Sequence, residues 1–251
     1  MTRFALAAFL FVALLCASTT ARASSHSTAL GQPERLEVPG APDAFFYRPH
    51  VRGSRPILMY LHGRGGNPAE DCRKWAKVGT KFGWVVCPQG PEDRGNGSRS
   101  WNNDSVTAGK IVQATVDALK AKYGHRVHTR GNVLIGFSEG AFVAMQIGLH
   151  DPTHWNKWLI LAANDQYWFG ETAALLKEDR RRVQRVYLLT GENDEVAANT
   201  KRVGDMLKAA KIPVRVRIRS GMGHEVPGDK MNATYRRPLL WLTEDQQKKT
   251  K

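Results

Sequence analysis

Residues 136–140 read Gly136-Phe137-Ser138-Glu139-Gly140, between an apolar strand-like stretch, 132–137, and a helical one running from Glu139 to about Leu149. A serine set between two glycines at such a junction can be held in a strained turn with Oγ pointing out of the sheet. The turn is tight enough that side chains two residues to either side would collide. The same pentapeptide also suits a turn whose serine merely caps the helix. A hydroxyl becomes a useful nucleophile only if a base takes its proton and a third group orients that base. Asp194, in Gly191-Glu192-Asn193-Asp194-Glu195-Val196, and His224, in Gly221-Met222-Gly223-His224, each follow a strand-like segment. Their order is nucleophile, acid, base. Glu192 and Glu195 compete for the acid role; Asp194 is preferred for its place in the turn before Val196. The other histidines fit the base role less well: His26 and His50 lie in or near polar segments, His125 and His128 follow a helix end, and His150 and His154 flank Asp151-Pro152.

Such a trio would attack a carbonyl carbon, and acyl transfer builds negative charge on the former carbonyl oxygen. Fixed backbone N–H groups must meet that charge. The Glu139 N–H is one expected donor, directly after Ser138 and at a helix N-terminus. The other is expected from the loop His62-Gly63-Arg64-Gly65, where glycines permit close approach. A phosphate cradle is the competing reading of that loop, but no Lys-Ser or Lys-Thr follows its glycines, and no G-x-G-x-x-G follows a strand. No cofactor is implied. No metal site is expected either, since the sulfurs are too few for a Cys-based zinc site and His-Glu-x-x-His is missing.

The elements that must position these residues alternate along the chain. Residues 35–38 and 44–47 look like a pair of opening strands around Pro39-Gly40. A fully apolar strand, 57–61, leads into the glycine loop. A helix over 69–81, a strand over 84–87, a Gly-rich loop from Gly90 to Asp104 and a helix over 106–123 follow. Beyond the serine come strands at 157–162 and 186–190, a helix at 197–210, an alternating edge strand at 214–219, and a last helix from Met231 to about Leu242. Continuous apolar strands alternating with helices imply an α/β fold with a mostly parallel central sheet covered on both faces. Loops at the C-terminal ends of parallel strands share one edge, so Ser138, Asp194 and His224 can meet there.

Residues 1–23 read as a secretory signal. Arg3 precedes a 12-residue apolar run, Phe4 to Leu15, and Ala21-Arg22-Ala23 offers a small-x-small cleavage site. That run is well short of the ~20 residues a membrane span needs, and no later run is longer. Leu15 before Cys16 disfavours a lipoprotein signal. Residues 24–34 read as a flexible mature terminus, and 35–251 as a single domain; the mature chain of about 228 residues is enough for one full core. The formal net charge is +14, two fewer without Arg3 and Arg22. This favours anionic surfaces such as envelope material. The basic runs, Arg180-Arg181-Arg182 and the tail Lys248-Lys249-Thr250-Lys251, lack the interleaved aromatics of specific nucleic-acid binding. Cys72 and Cys87 would lie at similar height on a helix and its neighbouring strand. Ordinary helix-to-sheet spacing argues against a disulfide and an oxidising compartment argues for one, so their pairing stays open.

Leu61-His62-Gly63-Arg64-Gly65-Gly66, Gly136–Gly140, Gly191–Val196 and Gly223-His224 together resemble the α/β-hydrolase superfamily over nearly all of residues 35–242. Within it the chain is similar to secreted carboxylesterases, including feruloyl-esterase-like, poly(3-hydroxybutyrate)-depolymerase-like and phospholipase/carboxylesterase branches. The resemblance implies the α/β-hydrolase fold and makes the Arg64 N–H the first oxyanion donor. It further implies an exported, secreted or periplasmic serine esterase acting through an acyl-enzyme. A peptidase or amidase with the same trio, and a non-catalytic envelope-binding module, are the competing readings. Many members carry a lid before the acid-bearing strand, but here residues 164–184 hold only about one helix, 171–182. No large lid domain fits there, and an open cleft would suit bulky or polymeric esters. Trp101, Tyr167, Trp168, Phe169 and Met222 are the pocket candidates.

Overall fold

The computed structural model describes residues 30–166 and 170–247. Among these residues ten strands and six α-helices alternate: β1 (Glu34–Leu36), β2 (Ala44–Tyr47), β3 (Ile57–Leu61), α1 (Pro68–Gly79), β4 (Trp84–Pro88), β5 (Glu92–Gly95), β6 (Ser98–Ser100) and α2 (Ser105–Tyr123). Then come β7 (Val133–Phe137), α3 (Glu139–His150), β8 (Lys157–Leu161), α4 (Gly170–Asp179), β9 (Arg185–Gly191), α5 (Ala197–Ala209), β10 (Val214–Arg219) and α6 (Met231–Gln247). Eight strands form one sheet in the order β1-β2-β4-β3-β7-β8-β9-β10. The pairings β1–β2 and β2–β4 are antiparallel and the remaining five are parallel. The inner strands β3, β4 and β8 are buried at every position, as strands covered on both faces must be. β10 closes one end of the sheet, and its alternating exposure follows from having one wet face.

The two faces carry separate cores. Side chains from α2, α3, α4 and α5 pack on one face around Met59, Val86, Leu134 and Ile160. Trp75, Val78, Tyr235 and Leu239 from α1 and α6 pack on the other, around Tyr60, Val85, Ile135 and Leu159. The connection from β8 to β9 contains α4, and no large separate domain is inserted there among the described residues. The expected signal segment and most of the expected flexible terminus lie outside the described residues, as does the basic tail. No helix among the described residues is long and apolar enough to cross a membrane.

Two local features differ from, or go beyond, the sequence reading. The Gly90–Asp104 segment is not a plain loop, because β5 and β6 pair as an antiparallel hairpin. Its turn residues Asn96 and Gly97 both have positive φ, 53° and 76°. Asn-Gly is the dipeptide that two-residue hairpin turns demand, so the signal was in the sequence. Cys72 and Cys87 form a disulfide with Cα atoms 5.7 Å apart. The spacing objection fails because α1 sits unusually close to the sheet. Gly79, two turns beyond Cys72 on the same face, lies where a Cβ would come within 2.5 Å of Val85 Cγ2 on β4.

Candidate active site

Ser138 sits between β7 and α3 with φ 56° and ψ −119°, a conformation strained for any residue with a Cβ. The backbone packing enforces it. A Cβ on Gly136 would lie 2.2 Å from Gly140 O, and one on Gly140 would lie 2.2 Å from Leu61 O. The elbow is therefore wedged against the end of β3 as well as against itself. Its neighbour Leu61 is paired in register with Gly136, so the loop leaving β3 emerges beside Ser138.

His224 Nε2 stands 2.9 Å from Ser138 Oγ, and His224 Nδ1 stands 2.9 Å from Asp194 Oδ2. Asp194 is buried, and its other oxygen accepts the Val196 N–H at 3.0 Å. The loops carrying Asp194 and His224 are joined through the backbone. Glu192 N–H donates to Arg219 O at 2.9 Å and Asn193 N–H to Met222 O at 3.0 Å. These bonds continue the parallel register that sets Arg219 against Gly191. Of the competing acids, Glu192 points elsewhere. It accepts from Ser220 Oγ at 2.7 Å and from Gly221 N–H, which together hold its carboxyl below the usual range. The Phe137 ring lies against the imidazole of His224, 4.9 Å centroid to centroid and tilted by 39°.

The loop of residues 62–66 forms a turn closed by Gly66 N–H donating to Gly63 O at 2.9 Å. Three supports fix it. The β5–β6 hairpin contributes a two-way backbone pair, Gly65 N–H to Arg99 O and Arg99 N–H to Gly66 O, both at 2.9 Å. Buried His62 is fully engaged, with Nδ1 2.8 Å from Gly63 O and Nε2 accepting Gly90 N–H at 3.0 Å. Burial pushes its pKa below the ordinary value. Finally, the Glu139 carboxylate reaches the Arg64 side chain, with Nε at 3.0 Å and Nη2 at 2.9 Å from Oε1.

Arg64, Ser138, Glu139 and His224 line a cleft of about 240 Å³, together with Asn103 and Asn164. Neither asparagine stands out in the sequence. Asn103 follows Asn102, and both have positive φ, a backbone state asparagine tolerates better than most residues. Two expected pocket residues are not in this lining. Trp101 is 0% exposed: its indole N–H donates to His62 O at 3.0 Å and its ring stacks on the His62 imidazole. Met222 is buried in the core under α6, with only its carbonyl serving the acid loop. Both sit on segments at the sheet edge that carries Ser138 and His224, but inward-facing there, where an apolar side chain gains most from burial. Tyr167, Trp168 and Phe169 lie outside the described residues.

A sheet in this order, with a strained serine after β7 and helices on both faces, is the α/β-hydrolase fold. The Esterase family model, described as "Putative esterase", matches residues 85–241, well over half of the chain. The chain belongs to that family. Among solved structures it is similar to an S-formylglutathione hydrolase from Agrobacterium tumefaciens, with a TM-score of 0.62 at 15% identity over 86% of this chain and 99% of that one. A carboxylesterase from Bacillus cereus gives 0.57 at 18% identity, over 80% and 93%. A ferulic acid esterase gives 0.58 at 13% identity, over 80% and 91%. At these identities the likeness is one of fold. No curated protein matches the chain.

Proposed function

We propose that this chain is an exported serine esterase that cleaves carboxylic esters through an acyl-enzyme. The observation that carries this reading is the unbroken line of contacts from Asp194 Oδ2 through both nitrogens of His224 to Ser138 Oγ, each 2.9 Å. His224 Nε2 takes the hydroxyl proton as Oγ forms its bond to the ester carbonyl carbon. The backbone N–H groups of Arg64 and Glu139 hold the resulting oxyanion. The C–O bond to the alcohol then breaks, the alcohol leaves with the proton from His224, and the acyl group stays on Oγ. Water, deprotonated by His224, reverses the sequence and releases the acid. Asp194 stays ionised throughout, keeping the imidazole in one orientation and stabilising its cation.

A cleft of about 240 Å³ is below the ~300–1,000 Å³ of sites that enclose whole ligands. It suits the reacting end of an ester whose remainder lies outside, as in a bulky or polymeric substrate. Export is supported by the leader-like first 23 residues and by the disulfide, which persists in oxidising compartments. The proposed surface for anionic envelope material is the open edge at β10. Residues 206–224 hold five Lys or Arg and no Asp or Glu, and Arg236 and Arg237 lie exposed on α6.

The direct test is labelling with a serine-directed fluorophosphonate. The wild-type chain is expected to label and Ser138→Ala is not, with ester turnover falling by about 10⁴-fold or more. Equal labelling of the two proteins would end the assignment.

A further inference from the structure

Glu139 does more than present a backbone N–H. Its side chain is only 3% exposed although it carries a charge. Its carboxylate gathers donors from two other segments of the chain. Arg64, after β3, reaches Oε1 with Nε and Nη2 at 3.0 and 2.9 Å. Ser100 Oγ, at the end of β6, lies 2.9 Å from Oε2, and the Trp101 N–H donates to the same oxygen at 2.9 Å. A carboxylate taken out of water costs free energy that pairing seldom returns in full. Such a group is therefore poorly explained as a stabiliser. What it supplies is geometry: it joins the elbow to the glycine loop and to the hairpin behind that loop.

The residues joined are the same two whose backbone N–H groups are the proposed oxyanion donors. We infer that the Glu139 and Arg64 side chains form a positioning pair that sets the spacing of those two donors. This inference rests on the serine-esterase reading. The donors must stand about 2.7–3.1 Å from an oxygen that exists only in the transition state. The hairpin holds the loop at Gly65 and Gly66, and His62 holds its start; the Glu139–Arg64 contact is the support that ties Arg64 itself to the elbow, and so sets one donor against the other. Arg64 suits the task because its planar group engages the carboxylate through two N–H groups at once, which a lysine cannot do. Its guanidinium end is half exposed at the cleft, while the carboxylate end is buried and fixed.

A misplaced donor weakens transition-state binding and leaves ester binding alone, so the loss belongs in kcat and not in KM. Glu139→Gln keeps the size and the backbone N–H but removes the charge. Its kcat on a small soluble ester is expected to fall about 10–100-fold, with KM within about threefold of wild type. Arg64→Met should fall similarly, and the double variant should be no worse than about the poorer single one, because both break one link. Inhibition by an alkyl boronate, which mimics the tetrahedral state on Ser138, should weaken in step with kcat/KM. Arg64→Lys, changed only at the exposed end, should still lose several-fold in kcat with an unchanged melting temperature, so the inference stays open to refutation if Glu139→Gln does not fold. Unchanged kcat in Arg64→Met and Arg64→Lys, losses confined to KM, or losses that multiply in the double variant would each overturn the pairing. Ser138→Ala, assayed alongside, separates the two claims: activity in that variant sinks the serine reading, whereas an inactive Ser138→Ala beside fully active Arg64 variants sinks the pair alone.

Discussion

At the scale of single residues, His62 shows how a position can matter to the site without touching substrate. Its neutral form fits its surroundings: Nδ1–H meets Gly63 O, and Nε2 accepts the Gly90 N–H. A second ring proton would point at a donor. Burial accordingly lowers its pKa from the ordinary 6.5. In the unfolded chain His62 takes up a proton as pH falls through that ordinary value, while the folded chain resists it. Its contribution to stability is therefore complete above about 6.5 and is lost as pH falls toward the folded value, with a slope of at most about 1.4 kcal/mol per pH unit. Urea unfolding at pH 7.5, 6.5 and 5.5 should show wild type losing more stability than His62→Gln. Parallel trends in the two proteins would remove His62 as the cause. The residues proposed to carry the chemistry can be singled out without a structure, because Ser138, Asp194 and His224 each sit in a short glycine-bearing segment of recognisable type. Trp101 differs for the opposite reason: it turns inward onto His62, and no local pattern says whether a loop aromatic faces a cleft or the interior.

At the scale of elements, the junction of β7 and α3 is held by the absence of atoms. Gly140→Ala would put a methyl group 2.2 Å from Leu61 O and 2.4 Å from His62 O, both backbone atoms at the exit of β3 that cannot swing away. Overpacking of that kind costs about 1–3 kcal/mol, and here it also shifts the serine. Chemical denaturation should show that loss, with ester turnover falling further than stability alone accounts for. Wild-type stability and rate in the Gly140→Ala variant would show that the wedge is not needed. The tie between α1 and β4 is testable in the same way. Closing a 15-residue separation with Cys72–Cys87 should contribute about 3 kcal/mol, so the Cys72→Ser/Cys87→Ser variant should unfold at correspondingly lower urea. A variant as stable as wild type would leave the bridge without a measurable role. Strands and most helices follow from the sequence to within about three residues, since buried parallel strands are continuous apolar runs; α6 instead runs on to Gln247, past the expected end near Leu242. The hairpin was missed because its strands are short and polar, and only its Asn96-Gly97 turn announced it.

At the scale of the whole molecule, charge is arranged unevenly around the sheet. Arg215, Arg217 and Arg219 alternate along β10, the last of them where the chain turns toward His224. Arg215 lies over the Trp241 ring at 4.7 Å, and Arg237 borders the same groove. Among the described residues neither Arg215, Arg217 nor Arg237 forms an ion pair with an acid. An unpaired basic edge leading to a catalytic edge would concentrate a polyanionic ester near the site, with an effect that salt screens. Arg215→Gln/Arg217→Gln/Arg237→Gln should elute from an immobilised acidic polysaccharide at clearly lower salt than wild type, with kcat on a small neutral ester unchanged. Neutralising Arg180 and Arg181, in the turn after α4 and off the β10 strand, should change elution less. If the two variants elute alike, net charge and not this edge governs the association.

The sequence by itself determined the class of fold, the identities of the nucleophile, base and acid candidates, and their order, because strand periodicity, turn glycines and chain order are local properties. Only the tertiary structure decided that Cys72 meets Cys87, that Trp101 turns inward onto His62, and that the Glu139 carboxylate reaches Arg64 and Ser100. Each of these depends on the register in which β3 lies beside β7 and β4, and on how closely a helix or hairpin settles on the sheet. A shift of a few ångströms in packing makes or breaks such contacts between segments far apart in the chain, and no single segment encodes it.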